Sequence, residues 1–250
     1  MKQYNILDYG AIADGVTNNA AAIQQAIDEA SAEGGRVVIP QGKYLSGTLV
    51  LKSNIDFHLE KGAVLISSLN QEDILDFARL FDDDNACTGW DGGCFLFACH
   101  EENITISGEG VIYGQGDKVF IDDDVDGGAH ECPLSVTAFR PRTTFLEDVT
   151  NLTVRDITIQ DAAFWTLHMA GCHHVRVQDI KILNDVRGAN NDGIDPDCCK
   201  DVLITGCLVK TGDDAIVIKT TKPMTQRYGA SENIVISNCI LYSHDSALKI

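Results

Sequence analysis

The 250-residue chain is 44% hydrophobic and 22% charged, which is globular composition with enough apolar residues for a core, and its length suits a single all-β domain spanning 1–250. A formal net charge of −18 argues against nucleic acid as a partner, and any anionic polymer would need cations placed locally to offset the global field. No run of about 18 apolar residues occurs, so no membrane span and no membrane partner is expected.

The N-terminus, MKQYNILDYGAIADG, lacks the apolar h-region of a secretory signal, which points to the cytoplasm unless a leader was removed. Nine cysteines form an odd set in a long chain without a CxxC pair. Buried free thiols are therefore expected over disulfides, and a zinc site has little support.

Residues 17–33, TNNAAAIQQAIDEASAE, read as an amphipathic helix with Ile23, Ala26, Ile27 and Ala30 on one face. Asn18 or Asn19 can cap its start, and Gly34 and Gly35 stop it. After the helix the pattern changes to short strands such as RVVIP, TLVL, IDFHL and AVLI, separated by Gly, Asn and Asp turns. Nothing else reads as helical.

Repeats decide the fold. NITISGEGVI (from Asn103), NLTVRDITI (from Asn151), HVRVQDIKI (from His174), DVLITGCLV (from Asp201) and NIVISNCIL (from Asn233) share one template. Each has a polar residue, a three-residue strand with apolar first and third positions, a corner and a second strand. NIDFHLEKGAVLI, from Asn54, is a looser copy. Starts are separated by 151 − 103 = 48, 174 − 151 = 23, 201 − 174 = 27 and 233 − 201 = 32 residues. A unit of about 22 to 25 residues with insertions is expected, the first interval spanning two units.

The units lack the LxxLxL skeleton of leucine-rich repeats, so the expected fold is all-β: a right-handed parallel β-helix (solenoid) with an N-terminal capping α-helix. The helix would cover the apolar end of the stacked core. The chain stops at SHDSALKI in a strand pattern without a cap, from which either a longer parent protein or pairing with another chain is expected.

Five carboxylates fall among strand-forming residues in NNDGIDPDCCKDVLITGCLVKTGDDAIVIK, from Asn190. In a coil of this size Asp192 and Asp213, 213 − 192 = 21 residues apart, sit one above the other, with Asp214 at the same corner. Crowded like charges raise at least one pKa and supply a proton donor beside ionised partners, the equipment for glycoside hydrolysis. Asp195 and Asp197 flank Pro196 and read as corner residues. Clustered acids also suit calcium. However, the loop with Asp122, Asp124, Asp126 and Gly127 has Pro133 where an EF-hand needs Glu, and Asp82–Asp84 read as a solvated run, so no metal is expected.

Several stretches resemble the polygalacturonase family of pectin-cleaving hydrolases, glycoside hydrolase family 28. They run from LDYGAIADGVTNNAAAIQQAI through GGRVVIPQGKY, LKSNIDFHLEKGAVL, GEGVIYGQG and RPRTTFLEDVTNLTVRDITI to the acidic block. NNDG is similar to the family's NTDG, and GDD to its (G/Q)DD. The resemblance implies Asp213 as general acid, with Asp192 and Asp214 activating water for inversion, on a uronic-acid polysaccharide or oligosaccharide such as polygalacturonan or rhamnogalacturonan, without a cofactor.

Two of the family's motifs are missing. SHDSALKI stands where GHG is expected, which places His244 two positions early, and the cationic RIK motif would lie beyond Ile250. Lys219 and Lys249 are its candidate substitutes as substrate-binding cations, with His244 beside them. Trp165 and His168, roughly one coil before Asp192, are further substrate-binding candidates: Trp165 by stacking on sugar or else as core, His168 by hydrogen bonding from an exposed position. A non-catalytic carbohydrate-binding or structural β-helix is the alternative, and a β-helix polysaccharide lyase a third.

Overall fold

The computed structural model describes residues 1–76, 93–122 and 134–250. Asp82–Asp84 and most of the calcium-like loop lie outside these residues. Three sheets of eight strands run the length of the described chain, parallel throughout except for Leu75–Asp76, which pairs antiparallel with Gly93–Cys99 in the third. The first sheet opens with Lys2–Asn5 and closes with Glu232–Ser237, the second runs from Asp14–Asn18 to Ile240–Ser243, and the third from Leu49–Val50 to Leu248–Lys249. Each coil after the first contributes one strand to each sheet, the architecture of a parallel β-helix. No helix among the described residues is long and apolar enough to cross a membrane.

Apolar residues at alternate strand positions point inward and stack in columns. Val37, Phe57, Ile106, Val154, Val177 and Ile204 are register partners in successive coils, each essentially inaccessible. The recurring polar residue that opens each repeat also has a physical cause. Asn54, Asn103, Asn151, His174, Asp201 and Asn233 all have φ between 55° and 63°. Short polar side chains tolerate this left-handed corner where branched ones do not. The Asn103 amide donates to Asn54 (2.9 Å) and that of Asn151 to Asn103 (3.0 Å), so the corners are laced along the solenoid.

The helix forms over Ala20–Glu33 and buries Ile23, Ala26, Ile27 and Ala30, the four residues on its apolar stripe. Asn18 Oδ1 accepts from Ala20 N at 3.0 Å, whereas the Asn19 side chain turns back onto Ile12, Thr17 and Leu45. Gln24 closes the sheet edge directly: its amide accepts from Val50 N and donates to Val50 O at 2.8 and 2.9 Å. That satisfies backbone groups an uncovered first strand would leave open.

Two expectations need correction. The 48-residue interval is one coil, because Glu102 pairs with Thr150 and Ile104 with Leu152 directly. Its surplus falls in sequence between the second-sheet strand Val111–Tyr113 and the third-sheet strand Arg142–Glu147. A second helix, Lys222–Tyr228, also exists. It seats Met224 and Tyr228 against an outer-face cluster of the third sheet that includes Phe97, Phe145, Ala170 and Cys198. Seven cysteines are free among the described residues, five of them buried.

Candidate active site

Asp192, Asp213 and Asp214 occupy the same second-to-third-sheet corner in adjacent coils. Gly193 N donates to Asp214 O at 2.9 Å and Ile194 pairs with Ile216, which sets Asp192 level with Asp214 and leaves Asp213 at the outer tip. One carboxylate oxygen of each lies within 4.8 Å of the other two. Asp192 and Asp214 are buried and Asp213 is half-exposed. Gly193 makes the close approach possible, since a Cβ there would fall 2.4 Å from the Ala215 oxygen.

Asn191 builds the corner. Its side-chain oxygen accepts from Gly212 N (2.8 Å) and Asp213 N (3.2 Å), and its amide donates to Asp185 O (2.8 Å). Thr211 and Ser243 hydroxyls both donate to Asp213 O at 2.7 Å. The Asp213 carboxylate therefore rides on a backbone tied from three coils. Arg140 Nη2 donates to Asn190 Oδ1 at 3.1 Å, which turns the Asn190 amide nitrogen toward Asp213 Oδ2 at 3.4 Å.

Two ammonium groups enter the cluster. Lys219 Nζ lies 2.8 Å from Asp192 Oδ2 and 3.8 Å from Asp195 Oδ1, over the Trp165 ring at 4.0 Å. Lys249 Nζ lies 3.0 Å from Asp214 Oδ2 and 3.5 Å from Asp245. Among the described residues no ion pair engages Asp213. Burial pushes the Asp192 carboxyl above its ordinary range, opposed by Lys219 and reinforced by Asp213. Asp192 Oδ1 and Asp214 Oδ1 are buried without a hydrogen-bond partner. The cluster is also the arrangement that would suit a cation, a role that the two lysines already fill electrostatically.

Trp165 is half-buried, stacked parallel to Phe164 (5.5 Å) and approached by Arg142 at 4.8 Å. His168 does not take the exposed position expected of it. Only 4% accessible, it packs on Phe145 and meets the Trp165 edge at right angles, 4.9 Å away. Its Nε2 donates to Asp197 Oδ2 at 3.4 Å. Burial lowers its pKa to about 4, so the ring is neutral at neutral pH.

Asp195 and Asp197 are not corner residues either. Both are fully buried in the strand Ile194–Asp197, on the outer face beneath the helix and the Trp165 cluster. Burial opposes the Asp197 charge, but hydrogen bonds from His168 and Thr221 outweigh it and hold this carboxyl below its usual range. With the imidazole neutral, His168 contributes an N–H donor there rather than a charge. Thr221 N and Oγ1 donate to Asp197 at 2.9 and 2.7 Å. His244 is exposed, donates from Nδ1 to the Val186 carbonyl (3.1 Å) and shares a cleft of about 340 Å³ with Asp213, Asn190 and Asp245.

A further cleft, about 1070 Å³, lies beside the N-terminal helix, far from these acids along the solenoid. Its lining includes Asp28, which pairs with Lys52, and Glu72, Asp73 and Asp76.

The sequence profile of Glycosyl hydrolases family 28 matches residues 35–244, and that of Rhamnogalacturonase A/epimerase, pectate lyase-like, matches residues 3–66. A protein described as "Probable polygalacturonase" from Vitis vinifera is 30% identical over 226 residues, which cover 86% of this chain and 44% of that protein. The family 28 exopolygalacturonase of Yersinia enterocolitica superposes with a TM-score of 0.78 at 26% identity, covering 95% of this chain and 48% of that one. The exopolygalacturonase of Thermotoga maritima superposes at 0.79 with 25% identity, covering 98% and 61%. The chain thus spans about half the length of these relatives, and the fold is the right-handed parallel β-helix they share.

Proposed function

The chain belongs to Glycosyl hydrolases family 28, and on that premise we propose that it hydrolyses the uronic-acid-containing backbone of pectin-type polysaccharides with inversion of configuration. One observation carries the reading: three carboxylates converge within 4.8 Å while lysines neutralise two of them. Asp192 and Asp214 each face an ammonium, Lys219 and Lys249. Asp213, unpaired and outermost, is the one placed to carry a proton to the leaving oxygen.

As Asp213 protonates the glycosidic oxygen, the C–O bond breaks and positive charge develops on the sugar ring. A water seated between Asp192 Oδ1 and Asp214 Oδ1 attacks the anomeric carbon and passes its proton to one of them. Two unpartnered buried acceptors suit a bound water, which needs two to four polar partners, better than they suit a nucleophile, which needs one. Proton exchange with solvent then restores the site. These carboxyls lie closer than the roughly 6.5–9.5 Å of most inverting pairs, so the first-formed anomer is the decisive readout. Inversion of an α-linkage releases the β-anomer.

Lys249 beside Asp214, Lys219 above Trp165, and His244, which lines a cleft with Asp213, are the substrate-binding groups of this reading. They supply the local positive charge that the net −18 requires. His168, behind Trp165, holds that ring rather than substrate.

The test is reducing-sugar release from polygalacturonate and rhamnogalacturonan, with NMR of the first product anomer. Asp213→Asn is expected to lower kcat about 10²–10⁴-fold with an unchanged circular-dichroism spectrum. Binding without cleavage by the wild type would transfer the protein to the carbohydrate-binding reading. Ultraviolet-absorbing unsaturated products would make it a lyase.

A further inference from the structure

The third sheet carries a buried carboxyl group that has no hydrogen-bond partner and that the proposed reaction leaves unused. Asp195 is fully inaccessible, level with His168 in the preceding coil, and neither of its oxygens has a hydrogen-bond partner. Lys219 Nζ stands 3.8 Å from its Oδ1 but is bound at 2.8 Å to Asp192. Asp192, Asp197 and Asp214 are the other charges acting on it, and the adjacent His168 ring is neutral. One ammonium therefore faces two carboxyl groups. A second ionised carboxylate at this place would be a buried charge without a donor, an arrangement proteins relieve by taking up a proton. Burial, reinforced by the Asp192 charge, pushes Asp195 in that direction.

We propose that Asp195 is a neutral carboxylic acid that serves as a positioning residue: it forms a polar floor under Lys219 without competing with Asp192 for the ammonium. Lys219 then sits in a three-sided seat of Asp192, Asp195 and the Trp165 ring, and its charge goes to Asp192. Behind that seat, Thr221 holds Asp197, Asp197 holds His168, and His168 braces Trp165. The kinetic consequence rests on Asp192 acting as the base; the protonation of Asp195 does not.

Two measurements test the proposal. The first is the melting temperature of wild type and Asp195→Asn between pH 4 and 8. If the folded state holds a proton that the unfolded chain releases near the ordinary carboxyl value, Asp195 stabilises at low pH and that contribution is lost as pH rises. The variant should then gain on the wild type with increasing pH, by roughly 2–4 °C or more. A difference that stays flat or falls with pH overturns the neutral assignment.

The second measurement is the kcat–pH profile on galacturonan. Asp195→Asn should keep the acid limb of the wild type. Asp195→Leu, which removes the polar floor, should move that limb to higher pH because Lys219 no longer holds Asp192 ionised. Coincident acid limbs in the two variants overturn the positioning role. A wild type inactive on galacturonan would sink the functional reading alone, since the melting series still decides the state of Asp195.

Discussion

Lys219→Met isolates the electrostatic device at the centre of the site. The methionine keeps most of the aliphatic stem on Trp165 while deleting the charge 2.8 Å from Asp192 Oδ2. Two charges about 4 Å apart interact by roughly 4 kcal/mol at an effective dielectric of about 20. Losing that attraction raises the Asp192 pKa, and at about 1.4 kcal/mol per tenfold it can change kcat by up to roughly 10³-fold. Burial already pushes this carboxyl up, and Lys219 is what opposes it. Asp192 must be ionised to accept a proton, so a higher pKa moves the acid limb of kcat to higher pH. At pH 5 the variant should lose roughly 10²–10³-fold in kcat, and raising the pH should recover much of it. The assay is reducing-sugar release at saturating polygalacturonate from pH 3.5 to 8, with circular dichroism at each pH. An acid limb displaced by less than about half a unit refutes the reasoning.

Three further perturbations follow from the same corner. His168 is neutral when folded, with a pKa of about 4, against about 6.5 unfolded. Its stabilising contribution is therefore complete above the unfolded value and is lost as pH falls through about 4. Melting temperature followed from pH 7 to 4 should fall less steeply in His168→Gln than in wild type. Asn191→Ala strips partners from the Gly212 and Asp213 amides and from the Asp185 carbonyl. At about 1–3 kcal/mol per unsatisfied buried group, thermal melting should drop by at least several degrees. Gly193→Ala would drive a methyl group to 2.4 Å from the Ala215 oxygen and 2.5 Å from Val209. Overpacking of this kind costs about 1–3 kcal/mol, and because Gly193 follows Asp192, kcat should fall further than stability does.

Strand periodicity made the solenoid, its capping helix and the acidic corner readable from the sequence. Alternation of apolar residues records which side chains face the core, and the recurring Asn, His or Asp marks each left-handed corner. The stripe of Ile23, Ala26, Ile27 and Ala30 is equally local, and all four are buried as expected. The two-unit reading of the 48-residue interval failed because an insertion lengthens a loop without altering which strands pair. Pro196 between two aspartates suggested a turn, yet the run is a strand whose outward face is covered. The short helix Lys222–Tyr228 has no long apolar stripe, so its pattern passed for a loop; proline in its first turn was the available signal.

By itself the sequence determined the coil, the helix at its end and the stacking of Asp192, Asp213 and Asp214, because each follows from residue spacing along one repeating unit. Tertiary structure alone decided the electrical state of that corner. Lys219 and Lys249 reach Asp192 and Asp214 from other coils, His168 withdraws to Asp197, and Asp195 is sealed away without a donor. A charge's cost depends on solvent exposure and on partners from distant parts of the chain, and neither is written in local periodicity.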